Sequence, residues 1–210
     1  MLLATALFSE ATLRFVLLGL ATGALTALVA LAIVLVYRAS GVLNFSAGAF
    51  GGIAAYYCYD IRDDVPTAVA VLGGLALGVL LGVLTFAVLS LLREASKLAK
   101  LIATLALFSA GQAFMILRWG AGVVQPDSLL PTRNVTLWGD LRIGEDRLIL
   151  IGIALGCALV LRLVYTGTLF GLATSAVAEN RRVAASAGWS PNRIELANFA
   201  IAGGLSALAA

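Results

Sequence analysis

Apolar residues run unbroken along this chain, with neither the alternation of a half-buried strand nor the narrow stripe of a surface helix. Runs long enough to cross a bilayer, about 17 to 25 residues, occupy 15–37, 42–59, 67–92, 101–117 and 148–165, and a sixth opens near Ile194. They predict an all-α polytopic transmembrane bundle of about six spans. The first run follows Glu10 and Arg14 and lacks a small-residue cleavage site at its end, so it reads as a retained span, not a signal peptide. The sixth run stops at Ala210 with no basic flank, which leads us to expect one transmembrane domain over 1–210, cut at its carboxy-terminal end.

Composition agrees with the pattern. The chain is 61% hydrophobic and only 12% charged, with a mean hydropathy of +1.03, far from the roughly half-apolar, quarter-charged mix of soluble domains. A net charge of +3 does not signal nucleic acid, because the basic residues sit in ones and threes between apolar runs. They report topology instead. The loops at 38–41, 93–100 and 166–193 hold Arg38, Arg93, Lys97, Lys100, Arg181, Arg182 and Arg193 against Glu94 and Glu179. The loops at 60–66 and 118–147 hold Arg62, Arg118, Arg133, Arg142 and Arg147 against Asp60, Asp63, Asp64, Asp127, Asp140, Glu145 and Asp146. The positive-inside rule places the first set in the cytoplasm and the amino terminus outside, in a multi-pass protein of the cell (inner or plasma) membrane.

Small residues recur at four-residue spacing in Gly19/Gly23, Gly48/Gly52, Gly74/Gly78/Gly82 and Gly152/Gly156. Such spacing lets helices approach closely where lipid supplies no hydrophobic drive to associate. The absence of histidine excludes a Ser–His protease, a histidine-ligated metal and a histidine proton relay. Cys58 and Cys157 lie in separate spans and read as small buried hydrophobes. No metal and no cofactor is expected. There is no GxxxxGK[ST] loop for ATP. The five complete runs hold no ionisable side chain of Asp, Glu, Lys or Arg type except Arg162, which argues against a proton-driven carrier.

Two stretches depart from plain apolar character. In "SGVLNFSAGAFGGIAAYY", residues 40–57, the segment from Gly41 through Asn44 and Ser46 to Gly48 has the residues that a break in a span would use. An ordinary helix, with Asn44 bonded to a neighbour, is the other reading. In both, Asn44 faces protein rather than lipid. In residues 168–200, Ser175, Glu179, Arg182 and Ser186 form one polar stripe on a helix, with Ala173, Val177 and Ala184 opposite. Gly188 suits a helix stop, and Ser190 followed by Pro191 suits a new helix start. The loop therefore reads as a short amphipathic helix docked against protein between two spans.

Both stretches resemble the permease subunits of branched-chain amino acid ABC transporters. "SGVLNFSAGAF" is similar to that family's SG-(L/V)-(I/L)-NF-x-x-G-x-F segment, in the form of the first of its two paralogous permeases. "AENRRVAASAG" is similar to the family's cytoplasmic loop, in which an Asn, a pair of alanines and a glycine recur. The resemblance implies an ABC importer permease for branched-chain or other small amino acids. Its partners would be cytoplasmic ATP-binding subunits, a paralogous second permease and an extracytoplasmic substrate-binding protein, all in or beside the lipid bilayer and without nucleic acid. It implies that Asn44, Ser46, Gly48, Gly51 and Gly52 border the substrate path. It also implies that Glu179, Asn180, Arg182, Ala184, Ala185 and Gly188, in the loop 166–193, form an ATPase-coupling element. ATP hydrolysis would lie on the partners, so the chain itself is no enzyme. Ser46-Ala47-Gly48 replaces the commoner Ala-His-Gly or Ala-Gln-Gly, which keeps open a urea or short-amide permease of the same family. A stand-alone channel or ion-coupled carrier is the rival from another class.

Overall fold

The computed structural model describes residues 10–120, 134–138 and 141–210. Its helices are α1 (Glu10–Ser40), α2 (Ser46–Ile61), α3 (Thr67–Leu91), α4 (Lys97–Trp119), α5 (Glu145–Gly167), α6 (Leu169–Glu179), α7 (Arg181–Ser186) and α8 (Pro191–Ala209). Before α5, strands β1 (Asn134–Trp138) and β2 (Leu141–Gly144) form an antiparallel hairpin with Asn134 opposite Gly144. The purely helical expectation missed this hairpin. Val135, Thr136, Trp138 and Ile143 have the β-branched and aromatic character that favours strands.

Among the described residues, four helical segments are long and apolar enough to cross a membrane: Phe15–Ser40, Thr67–Leu91, Lys97–Trp119 and Glu145–Gly167. The other two of the about six expected spans, α2 and α8, fall short of that length or hydropathy for physical reasons. Residues 41–45 are not helical, which leaves α2 only 16 residues, or about 24 Å at 1.5 Å per residue. The other is α8, which carries Arg193, Glu195, Asn198 and Ser206, and three of these, Glu195, Asn198 and Ser206, are buried in protein.

α8 is the packing centre. It lies against α3, α1 and α2 and buries Phe199, Ala202, Gly203, Leu205 and Ala209. Its crossing with α3 is a contact of backbone on backbone. A Cβ on Gly78 would stand 2.7 Å from the Gly203 carbonyl, and one on Gly82 would strike the Phe199 carbonyl. Gly74 makes the corresponding approach to α2, 3.2 Å from the Ala54 carbonyl. The glycine triple of α3 is therefore the interface that its spacing predicted, and Gly203 is its unforeseen partner. Among the described residues, Gly19, Gly23, Gly152 and Gly156 meet nothing within 4 Å, so those two pairs do not join the described helices. Four-residue spacing is necessary for a close crossing but says nothing about which face finds a partner.

α5 is the outermost helix, packed on α1 and α6. Its outward leucines Leu155 and Leu163 are 66% and 60% exposed, and Leu72 on α3 is 65% exposed. Apolar side chains so open over whole helical faces suit a hydrocarbon surround.

The close crossing predicts an asymmetric response to a single added side chain. Gly82→Val should force α3 and α8 apart, an overpacking cost of about 1–3 kcal/mol, seen as a lower unfolding temperature in detergent. Gly19→Val, with open space around it, should leave that temperature unchanged. Equal stability of the two variants would contradict the packing.

Candidate functional site

The break at the start of α2 is built from local chemistry. Gly41 has φ +68, a left-handed conformation that glycine adopts without a Cβ penalty, and it ends α1. The chain then runs non-helical to Phe45 and re-enters a helix at Ser46. Asn44 is buried and turns its side chain onto its own backbone. Its Oδ1 accepts from the Ser46 amide at 3.1 Å and from the Ser46 hydroxyl at 2.6 Å. Ser46 Oγ also lies 3.3 Å from Thr85 Oγ1 on α3.

Neighbouring groups satisfy the freed backbone. The Val42 amide donates to Ser40 Oγ at 3.3 Å, and the Leu43 carbonyl lies 3.1 Å from the Thr104 hydroxyl on α4. Asn44 thus faces protein, and of the two readings of 42–59 the broken one holds. Thr85 and Thr104, both fully buried in otherwise apolar runs, complete the site. A hydroxyl that recurs among leucines was their only signal in the sequence.

The small residues proposed as path-lining do not share one surface. A Cβ on Gly51 would come within 2.5 Å of the Ser206 carbonyl on α8, whereas Gly48 and Gly52 look toward Phe108 and Met115 on α4. The open space beside α2 lies on another face. It is an apolar groove of about 790 Å³ between α2, α3 and α4, walled by Phe50, Ile53, Leu77, Leu81, Leu107 and Phe114. Asp60 and Arg118 close one end of the groove with an ion pair at 2.8 Å. Tyr56 stacks on Trp119 there, ring centroids 5.2 Å apart, and such amphipathic aromatics favour a membrane–water boundary.

At the opposite end stands the loop 166–193, and here the single-helix expectation is corrected. Asn180 adopts φ −151 and ψ 101 and breaks the helix into α6 and α7. Its Oδ1 caps α7 by accepting from the Arg182 and Val183 amides, each at 3.1 Å. A short polar side chain that bonds the backbone competes with helix continuation. Glu179 and Arg182 consequently stand on separate helices, both exposed, and do not pair.

The apolar side is as expected. Ala173, Val177 and Ala184 are buried together with Ile194, while Ala185 is exposed. Gly188 has φ +89. The Trp189 amide donates to the Ala184 carbonyl and the Gly188 amide to the Ala185 carbonyl, each at 3.1 Å, a Schellman stop. Ser190 and Pro191 then start α8.

Sequence reasoning missed what ties this loop to the bundle. Asn198 on α8 is fully buried. Its Nδ2 donates to Thr174 Oγ1 on α6 at 3.2 Å and to the Ile194 carbonyl at 2.7 Å, and its Oδ1 accepts from the Tyr165 hydroxyl on α5. Arg38 from α1 donates to Ser175 Oγ at 3.0 Å and lies over the Tyr165 ring. Arg181 on α7 pairs with Glu195 on α8 and also donates to Asn192. Two helices, α1 and α8, therefore meet α6 and α7 through polar contacts, and α5 joins them through Asn198. The signal available was an Asn within an apolar run, the same kind as Asn44.

Apolar spans, a protein-buried unwound segment and a polar-locked loop define a multi-pass helical membrane protein. A family model described as branched-chain amino acid transport system, permease component, matches residues 15–210, and the chain belongs to that family. It is thus a component of membrane transport. Comparison with curated proteins and with solved structures returns no match.

The Asn198 network predicts a stability effect. Asn198→Leu leaves the Tyr165 hydroxyl without its partner and removes the donor to Thr174 Oγ1, which keeps its bond to the Phe170 carbonyl, and should cost about 1–3 kcal/mol, measured as a fall in unfolding temperature in detergent. An unchanged temperature would show that the network holds nothing together.

Proposed function

We propose that the chain is the permease subunit of an ABC importer for branched-chain or other small amino acids, driven by ATP hydrolysis on partner subunits. In this reading residues 1–210 act as one permease domain. The basic end faces the cytoplasm, α2 and α8 complete six spans, and α6–Asn180–α7 is the coupling element. Cytoplasmic ATPases, a paralogous second permease and an extracytoplasmic binding protein complete the machine. The carrying observation is the loop pair itself. It leaves Glu179, Arg182 and Ala185 exposed while Arg181–Glu195 and the Asn198 network fix its inner side to α8, α5 and α1.

A push on α6–α7 reaches α8 directly, and α8 touches the glycine face of α3. Rigid contact of this kind is what alternating access powered from another subunit requires. Movement of α3 and α4 would work on Ser46–Thr85 and Leu43–Thr104, the contacts that hold the unwound segment. A urea or short-amide cargo remains the second reading, favoured by Ser46-Ala47-Gly48 in place of the commoner motif.

Coupling is tested in liposomes holding the complete transporter. Glu179→Arg reverses an exposed charge on the docking face. Gly188→Val puts a Cβ at positive φ, a strain of about 1 kcal/mol. Both variants should insert normally and lose most stimulation of ATP hydrolysis by loaded binding protein. A cysteine replacing Ser186 should cross-link to an ATPase subunit and one replacing Asp64 should not. Wild-type stimulation in both variants, or the reverse cross-linking, would remove the coupling assignment.

Asn44→Leu should insert as well as wild type, because burying Leu costs less. Uptake should fall at least severalfold, since Ser46 loses its acceptor. Normal uptake would reduce Asn44 to a packing residue.

A further inference from the structure

At the basic end, a cavity of about 430 Å³ opens between the end of α1, the α3–α4 turn and the α6–α7 pair. Arg93, Lys97, Lys100 and Arg181 line it, with Glu94 and Glu195 as the acids. Arg181 and Glu195 neutralise each other. Lys100 donates one N–H to the Arg93 carbonyl at 2.9 Å and keeps two more. Among the described residues, Arg93 and Lys97 have no ion-pair partner. Three cations therefore face one cavity against the single uncommitted carboxylate of Glu94.

The surroundings identify the anion. Leu91 and Leu98, within two residues of Arg93 and Lys97, are 86% and 65% exposed, so the α3–α4 turn sits where hydrocarbon gives way to water. Inward, the cavity continues into a pit that shares Arg93, Lys100 and Arg181 and is floored by Phe86, Leu89 and Phe199. An acidic peptide would have no use for the exposed leucines. A phosphodiester carrying acyl chains fits both, its oxygens on a guanidinium fork and two ammonium groups and its chains on the apolar rim.

We propose that this cavity binds the headgroup of an anionic phospholipid, with Arg93, Lys97 and Lys100 as its ligands. The bound phosphate braces the α3–α4 turn against α7, through the cavity that Arg181 also lines. The site rests on the chain being in a membrane and is independent of what is transported.

The test uses the full chain purified from an equimolar mixture of phosphatidylglycerol and phosphatidylcholine, with the retained lipid quantified by mass spectrometry. Wild type should enrich phosphatidylglycerol about tenfold or more, since each basic residue near the surface is worth about fivefold. Arg93→Gln and Lys97→Gln should each lose about fivefold of the enrichment, and the double variant should lose more than either alone. Arg193→Gln, outside the cavity at the same end, should match wild type. The single variants keep the test valid if the double variant folds poorly, as judged by its unfolding temperature.

Undiminished enrichment in folded Arg93→Gln and Lys97→Gln would overturn the site. Displacement of the lipid by an equal concentration of glycerol phosphate would assign the cavity to soluble phosphates and overturn the headgroup reading. Loss of ATPase-subunit binding by these variants, with lipid enrichment intact, would assign the cations to a protein partner and overturn it as well.

Discussion

The approach of α8 to α3 without intervening side chains decides the architecture. Gly78, Gly82 and Gly203 allow two backbones to meet, and the gain is dispersion over a long contact in a medium that supplies no hydrophobic drive. With α8 held at the centre, its polar side chains no longer see lipid. Glu195, Asn198 and Ser206 are then tolerated because each has a protein partner. The loop helices α6 and α7 are fixed in turn by two of those side chains. A chain with a bulkier α3 would lose the centre first and the loop's attachments with it.

The unwound segment follows the same economy. An unsatisfied backbone group in hydrocarbon costs several kcal/mol, so a break survives only where donors and acceptors wait beside it. Asn44, Ser40 and Thr104 fill those roles from the segment itself and from α4. The result is a stretch of chain held by a few directional bonds in place of a helical ladder.

Features set by local chemistry were legible in the sequence. Gly188 ends a helix, Ser190 and Pro191 begin one, Ala173, Val177 and Ala184 bury one face, and the α3 triple makes a contact. Asn44 faces protein, as both readings required. Features set by the partner were not legible. Gly19/Gly23 and Gly152/Gly156 share the spacing of the α3 triple but find no neighbour among the described residues, whereas Gly203, whose four-residue partner is Ala207 and not a glycine, does. The stripe from Ser175 to Ser186 assumed one continuous helical period. Asn180 had the chemistry of a helix cap, and that local preference overrode the period. The central position of α8 was masked because its polar residues lower its apparent membrane character.

The helix at the centre is made long after the helix it packs against. During synthesis α3 is complete at Leu91, but Gly203 follows 112 positions later (203 minus 91). At roughly 5–20 residues per second the glycine track of α3 waits on the order of ten seconds for its partner. Throughout that interval the bundle has no centre, and lipid or an insertion factor must occupy the future seat of α8. The contact between α3 and α8 is therefore made late, so a chain interrupted before Phe199 lacks the side of that contact that α8 supplies and is a natural substrate for membrane quality control.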